Sequence, residues 1–152
     1  MAKINIYSIA KVSNDEFEII AKEFIKMSSK YAKVESFNMF NKNISKAQTI
    51  GQKEAQQAYT DAFLPKMQGF NIALDVLGKK HDSYSFAKLL DDKPVINFFI
   101  GGAYGFNNDF LSRCDTKISL SDLTMAHKIA HIMLLEQTFR GLCINNNHPY
   151  HK

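Results

Sequence analysis

Two adjacent glycines follow the most apolar segment of the chain, where a ligand could approach the backbone. Residues 95–100 (Val-Ile-Asn-Phe-Phe-Ile) predict a strand buried on both faces, and Gly101 and Gly102 come directly after it. Glycine presents no side chain to block a ligand, and ligands of open α/β sheets bind at the carboxyl ends of strands. Residues 120–127 open an amphipathic helix and predict a second wall. The alternative is a tight turn that needs glycine only for its backbone angles.

These glycines match neither of two common phosphate-binding patterns. A dinucleotide fingerprint has glycine at its first, third and sixth positions, but counting from Gly101 the third is Ala103 and the sixth is Phe106. A P-loop ends in Gly-Lys-Ser/Thr, whereas Gly105 is followed by Phe106 and Asn107. The sequence therefore disfavours a phosphate cradle here.

Two histidines share one face of the last predicted helix. His127 and His131 have the i, i+4 spacing of zinc metalloproteases, but Lys128 stands where those enzymes carry a catalytic glutamate. Because a lysine beside the imidazoles opposes the binding of a cation, we predict no metal.

Further candidate groups lie near the carboxyl terminus. Glu136 and Arg140 stand i, i+4, and a solvated ion pair is their simplest interpretation. Chain ends are usually frayed, yet the last residues include Tyr150, His151 and Lys152. An aromatic ring, an imidazole and an ammonium group together suit stacking on a base and contact with phosphate.

Strand and helix patterns alternate along the chain. The predicted strands span residues 3–9, 32–39, 70–74, 95–100 and 117–120. Four helices are predicted: the first follows a Ser13/Glu16 capping box, the second runs from 41–43 to about 67, the third spans 84–90, and the fourth runs from 125 to about 142. This order predicts an α/β fold, a mostly parallel sheet covered by helices on both faces, in one domain spanning 1–152. An apolar stripe on the last helix predicts core or a subunit interface: Met125, Ile129, Ile132, Met133 and Phe139.

Composition narrows the class of protein. The 152 residues are 45% hydrophobic and 22% charged, as in globular domains, and the net charge of +4 favours a polyanionic partner only weakly. We interpret Cys114 and Cys143 as reduced core thiols. The amino-terminal residues alternate like a strand rather than a signal peptide, and no apolar run is long enough to span a bilayer, so we expect a cytoplasmic protein without a membrane partner.

Several short motifs occur in a characteristic order along almost the whole chain. They are Leu74-Asp75 followed by Gly78-Lys79, the turn 99–102, the loop 120–124 with His127, the helix segment 135–140, and the terminal Pro-Tyr-His-Lys at 149–152. Each motif alone is weakly specific. Together they resemble the ribosomal RNA large subunit methyltransferase H family, which belongs to the SPOUT methyltransferases.

This resemblance implies a fold and a cofactor. The fold is a parallel sheet whose carboxyl-terminal part is threaded into a deep trefoil knot, a feature otherwise almost absent from proteins. The cofactor is S-adenosylmethionine, which the family pattern places against Leu74, Gly101 and one loop. The loop residues are Leu120, Ser121, Asp122, Leu123, Thr124 and Met125.

The resemblance also implies a reaction and its partners. The reaction is methylation of N3 of a pseudouridine in the helix 69 loop of 23S rRNA, on assembled ribosomes and not on DNA. Because the imide must lose a proton, His151 is a candidate base and Arg140 a candidate stabiliser of the anion, with Tyr150 beside them. The family acts as homodimers, so the tail of one chain is expected to complete the site of its partner.

Some positions depart from the family pattern. Ala126 replaces a usual proline, His131 replaces a usual arginine, and residues 139–141 read Phe-Arg-Gly instead of Tyr-Arg-Ala. An alternative function is therefore a ribosome-binding or assembly protein that keeps the knotted fold without catalysis. A nucleotide-binding α/β module, the third interpretation, rests on the glycine turn alone.

Overall fold

Five parallel strands form the centre of the molecule. The computed structural model covers residues 1–152. Its strands are β1 (Ala2–Ser8), β2 (Ala32–Asn38), β3 (Phe70–Lys80), β4 (Val95–Ile100) and β5 (Thr116–Ser119). They lie in the order β2-β1-β4-β3-β5, and every paired neighbour runs parallel. The predicted α/β architecture with a parallel sheet is confirmed.

Six helices cover the two faces of this sheet. They are α1 (Glu16–Ser28), α2 (Lys42–Ile50), α3 (Gln52–Phe63), α4 (Ser83–Leu89), α5 (Asn108–Arg113) and α6 (His127–Asn145), with a 3₁₀ turn at Leu64–Lys66. Helices α1, α4 and α6 contribute to one hydrophobic cluster with the sheet, whereas α2, α3 and α5 contribute to the other. The fold therefore has three layers, which explains why β4 is buried on both sides.

A row of buried asparagines crosses the three inner strands. Asn5, Asn97 and Asn71 face one another in register on β1, β4 and β3. Asn97 Oδ1 accepts a hydrogen bond from Asn5 Nδ2 at 2.9 Å. Asn97 Nδ2 donates to Asn71 Oδ1 and to the Gln68 backbone oxygen, each at 3.0 Å. Since a one-residue slip would bury these amides without partners, the row favours this register.

We expect Asn97→Leu to lower the free energy of unfolding by about 2–4 kcal/mol, because the amides of Asn5 and Asn71 would then lie buried without their partner. Asn5 Oδ1 already has no hydrogen-bond partner. Urea unfolding measures the change, with Asn43→Ala at an exposed position of α2 as control. Equal stability of Asn97→Leu and the parent would contradict this role.

The first helix begins later than predicted. Its N-cap is Asp15, whose carboxylate accepts from the Glu18 amide at 3.1 Å. The predicted capping box was wrong, because Ser13 instead donates to the Asp15 carboxylate at 3.3 Å. Aspartate competes well with serine as an N-cap, and this carboxylate also has an ion partner, Lys128 on α6.

The other differences concern boundaries. The single long helix predicted to about residue 67 is interrupted at Gly51, a poor helix former that adopts an extended backbone. β3 continues to Lys80 beyond an irregularity between Leu74 and Lys79, and α5, capped by Asn107, was not predicted. Short helices such as α5 carry too few residues for a periodic pattern.

The core face of α6 also differs from the predicted apolar stripe. Ile129 is 46% exposed, whereas Phe139 is buried as predicted. The buried side chains of α6 cluster in its second half: Leu134, Leu135, Thr138, Phe139, Leu142 and Cys143. The start of the helix is therefore left to contact something other than the core.

Both cysteines are free thiols. Cys143 is buried and Cys114 is partly buried. Burial, helped by the charge of Asp115, raises the pKa of Cys114 to about 12, so its thiol is unreactive at neutral pH. None of the helices combines the length and hydrophobicity that crossing a bilayer requires.

Candidate active site

A large cavity opens along the carboxyl edge of the sheet. Its volume is about 690 Å³, within the range of roughly 300–1,000 Å³ for small-ligand sites. Residues at or just after the ends of the strands line it, including Ile9 after β1, Ile100 at the end of β4 and Ser119 at the end of β5. This is the edge at which parallel sheets bind ligands.

Seven of the eight residues that the family pattern assigns to the cofactor line this cavity: Leu74, Gly101, Leu120, Ser121, Leu123, Thr124 and Met125. Asp122 does not line it. Its side chain is 77% exposed and pairs with Lys80 at the end of β3. Asp122 thus tethers the loop to β3 and is not placed to touch a ligand in the cavity.

Hydrogen bonds within the loop fix its backbone. Ser119 Oγ donates to the Ser121 carbonyl oxygen at 3.0 Å, and Ser121 Oγ accepts from the Leu123 amide at 3.0 Å. The second contact is the short-range turn that serine hydroxyls favour. The loop therefore holds its apolar side chains and backbone groups in place before any ligand binds.

The glycine turn packs too closely for any larger residue at its second position. A Cβ built on Gly102 would lie 2.5 Å from Tyr59 Oη and 3.1 Å from Ile9 Cγ2. The Gly105 amide donates to the Gly102 carbonyl at 3.0 Å, and Gly105 has a φ of +68°. The turn therefore needs glycine at 102 for space and at 105 for its backbone angles. The ligand-approach and tight-turn interpretations of the sequence thus apply to the same turn.

The chemistry of the lining suits an elongated, mostly apolar ligand with a few polar groups. Of the 23 lining residues, 12 are hydrophobic. Polar groups that line it include Ser121, Thr124, Gln48, Lys11 and the backbone of the glycine turn. The site can therefore hold a flat heterocycle by packing and by hydrogen bonds to its edge.

Lys128 lies at the cavity wall and is paired with Asp15. The hydrogen bond from Lys128 holds the pKa of the Asp15 carboxyl below its usual range.

No group of three or more potential metal ligands occurs in the chain. His131 instead has its Nε2 atom 2.8 Å from Ser36 Oγ on β2. His131 thus connects α6 to the sheet as an ordinary hydrogen-bonding group.

Burial, reinforced by the nearby His127, lowers the pKa of His131 below its usual value. A histidine with a lower pKa in the folded chain stabilises the fold fully above about pH 6.5 and loses that contribution as the pH falls towards the folded pKa. We expect His131→Asn to reduce the loss of stability between about pH 7 and pH 5. Urea unfolding across this range measures it, and identical pH dependences in parent and variant would contradict it.

The three candidate catalytic residues lie together. Arg140 Nη1 and His151 Nδ1 are 3.0 Å apart, and the guanidinium carbon of Arg140 lies 4.7 Å from the centre of the Tyr150 ring. Glu136 holds the cluster, since it accepts from Arg140 Nε at 3.1 and 3.2 Å and from Tyr150 Oη at 3.4 Å. Tyr84 packs edge-on against His151. The tail is therefore docked on α6 and is not frayed.

The cluster sets the protonation of its members. A hydrogen bond to Glu136 raises the pKa of Arg140, and burial raises the pKa of Tyr150. Because Arg140 can only donate, His151 Nδ1 accepts this hydrogen bond. Glu136 and Arg140 form the predicted ion pair, but it is less solvated than expected, because their side chains are only 23% and 24% exposed and belong to this cluster.

The catalytic cluster and the cavity are separate within one chain. None of Arg140, Tyr150 and His151 lines the cavity. The lining residues that the sequence did not predict include Lys11, Phe40 and Gln48. The rule that ligands bind after strand ends would have indicated Lys11 and Phe40, which follow β1 and β2. No local pattern marks Gln48, in the second half of α2.

Almost the whole chain matches a known protein family. Residues 2–151 match the sequence profile of a family described as "Predicted SPOUT methyltransferase". The chain is 65% identical over 150 residues to "Ribosomal RNA large subunit methyltransferase H" of Aliarcobacter butzleri (strain RM4018), covering 99% of each protein. It is 53% identical over 154 residues to the protein of the same name from a Nitratiruptor species, covering 100% of both.

A solved structure supports the fold. A probable methylase family protein from Haemophilus influenzae Rd KW20 superimposes with a TM-score of 0.58, covering 98% of this chain and 70% of that one. The sequence identity is 14%, so this likeness concerns the fold alone.

Proposed function

Because this chain belongs to the SPOUT methyltransferase family, we propose that it methylates ribosomal RNA of the large subunit with S-adenosylmethionine as methyl donor. The observation that carries the proposal is the 65% identity, over 99% of both chains, to a protein named for that activity. The finer specificity, N3 of a pseudouridine in the helix 69 loop of 23S rRNA on assembled ribosomes, follows from the family resemblance.

The cavity provides the surroundings that this cofactor needs. S-adenosylmethionine, when bound, supplies a methyl group on a positively charged sulfur. Leu74, Leu120 and Met125 would pack around its flat base, and the backbone of the Gly101 turn and of the loop 120–125 would offer hydrogen bonds to polar edges. The hydrogen bonds within the loop would reduce the cost of ordering it on binding.

The catalytic cluster provides the groups that the acceptor needs. N3 of the target base must lose its proton, and His151 Nδ1 accepts it once the substrate displaces the hydrogen bond from Arg140. Arg140 stays charged and stabilises the negative charge that develops on the base. Tyr150 keeps the guanidinium in place by stacking on it, which positions Arg140 and gives the base a flat surface.

We infer that the active unit is a homodimer in which one copy supplies the cavity and its partner the catalytic cluster. The separation of the two within one chain supports this. Exposed apolar side chains that a partner could cover include Ile19 on α1 and Leu123 beside the cavity, 71% and 75% exposed.

Mixing two inactive variants should restore activity if the sites are shared. Gly101→Val places a side chain in the cavity beside Phe106, and Arg140→Ala removes the guanidinium. In co-expressed, randomly paired chains, half of the dimers combine both variants and each keeps one intact site, so about a quarter of the parental turnover is expected. Methylation by the purified mixture measures this. No activity in verified mixed dimers would contradict a site shared between two copies.

The function itself is tested with ribosomes from a strain that lacks this methylation. The protein and radiolabelled S-adenosylmethionine should place label in 23S rRNA and none in 16S rRNA, with the label mapped to helix 69. No label, while a control methyltransferase labels the same ribosomes, would overturn the proposal. The non-catalytic alternative predicts ribosome binding with no heat of S-adenosylmethionine binding in calorimetry.

A further inference from the structure

The cavity has a half that the cofactor assignment does not use. All the residues assigned to the cofactor lie on or after β3, β4 and β5, which are neighbours in the sheet. The loops after β1 and β2 and helix α2 also contribute to the wall, and the residues that they supply include Lys11, Phe40 and Gln48. This β1/β2 half lies in the same cavity as the proposed methyl donor, which is the place where an acceptor is needed.

The side chain of Gln48 is held in one orientation. Its Oε1 accepts from Tyr59 Oη at 2.5 Å, and its backbone oxygen accepts from Tyr104 Oη at 3.4 Å. Tyr59 is fully buried and burial raises the pKa of its hydroxyl, so the phenol keeps its proton and donates it to this amide oxygen. The Nε2 group of Gln48 is therefore the end left to donate to a ligand in the cavity.

Two neighbouring side chains add the features that single-stranded RNA requires. Phe40 is partly buried against the core. Lys11 Nζ lies over its ring, 5.1 Å from the ring centre, so a base that stacks on this face displaces the ammonium group towards the adjoining phosphate. Aromatic rings stack on bases, and ammonium groups contact the adjoining phosphates. The nearest carboxylate on the β1 loop, Asp15, is already paired with Lys128. It therefore does not cancel the charge of Lys11.

We propose that the β1/β2 half of the cavity binds the target nucleotide, with Gln48 donating from Nε2 to a carbonyl oxygen of a uracil-type base. Phe40 stacks on the base and Lys11 contacts the backbone phosphate. A cytosine would present an amino group at the 4-position to the Gln48 donor, and two donors facing each other disfavour binding. Gln48 is thus a specificity-determining residue, and this assignment rests on the proposed RNA methyl transfer.

Gln48→Glu is the sharpest test, because a carboxylate keeps the hydrogen bond from Tyr59 and replaces only the donor. We expect calorimetry to show unchanged affinity for S-adenosylmethionine. The KM for ribosomes should rise about tenfold, the effect of losing one hydrogen bond, with less change in kcat. Gln48→Ala should raise the KM for ribosomes similarly, but it also leaves the buried Tyr59 hydroxyl without its acceptor, so cofactor affinity is compared in Gln48→Glu. Gln57→Glu at an exposed position of α3 is the matched control.

Base selectivity distinguishes recognition of the target base by Gln48 from a purely structural role of this residue. We expect parent protein to bind ribosomes with uridine at the target position more tightly than ribosomes with cytidine there, and Gln48→Glu to lose or reverse this preference. Parental KM and selectivity in both Gln48 variants of an active enzyme would overturn the inference, and so would loss of S-adenosylmethionine affinity. An inactive parent would instead reject the proposed function, and this inference with it.

Discussion

Arg140→Ala is expected to reduce methyl transfer by about 10²–10³-fold, the usual effect of removing one group that stabilises a developing anion. The guanidinium is partly buried, stacked on Tyr150 and held by two hydrogen bonds to Glu136. It is therefore oriented before substrate binds and needs no reorganisation during the reaction. Arg140→Lys keeps the charge but not the planar fork, so we expect a smaller loss.

Single-turnover methylation of ribosomes measures this effect, and calorimetry reports on the cofactor. Affinity for S-adenosylmethionine should not change, because Arg140 does not line the cavity. Arg113→Ala is the matched control, since Arg113 also pairs with an acid four residues earlier, Asp109, but on the exposed surface of α5. Full turnover in Arg140→Ala would remove this residue from the mechanism, and weakened cofactor binding would indicate a structural role.

Gly102→Ala is expected to lower the free energy of unfolding by about 1–3 kcal/mol, the typical cost of forcing an extra methyl group into a packed site. The new Cβ would lie 2.5 Å from Tyr59 Oη and 2.6 Å from Cζ of the same ring. Tyr59 is fully buried and cannot swing away, so the glycine turn must move instead. Since Gly101 lies in that turn, S-adenosylmethionine binding should be lost or weakened at least about tenfold.

Urea unfolding and calorimetry together test this prediction. The control is Gly51→Ala, where the added Cβ meets only the flexible tip of Glu54 at 3.2 Å. That variant should keep its affinity for S-adenosylmethionine. A Gly102→Ala protein with parental stability and affinity would show that the turn is not held against Tyr59.

The two variants affect different parts of the proposed active site. The cavity depends on close packing between the glycine turn and α3, so its variants should change cofactor affinity. The candidate catalytic cluster depends on the docking of the tail on α6, so its variants should change turnover. Gln48→Glu forms a third class, because it should change recognition of RNA and leave both other properties intact.

Local patterns in the sequence predicted the layers of the fold well. The apolar run at 95–100, interrupted only by Asn97, predicted the central strand with the bounds observed, because burial on both faces leaves no polar alternation. Boundaries decided by competing local groups were less predictable. Ser13 and Asp15 are both good N-caps, and the tertiary contact of Asp15 with Lys128 favours the second.

The α/β layering, the glycine turn and the family are readable from the chain alone, because hydrophobic periodicity, strand-ending glycines and ordered motifs are local features. The grouping of residues into sites depends instead on how the elements pack. The order β2-β1-β4-β3-β5 brings Phe40 and Gln48 into the same cavity as Gly101. It leaves Arg140 and His151 outside that cavity, docked on α6. Sheet order and helix docking arise from contacts between segments far apart in the chain, and such contacts have no local signature.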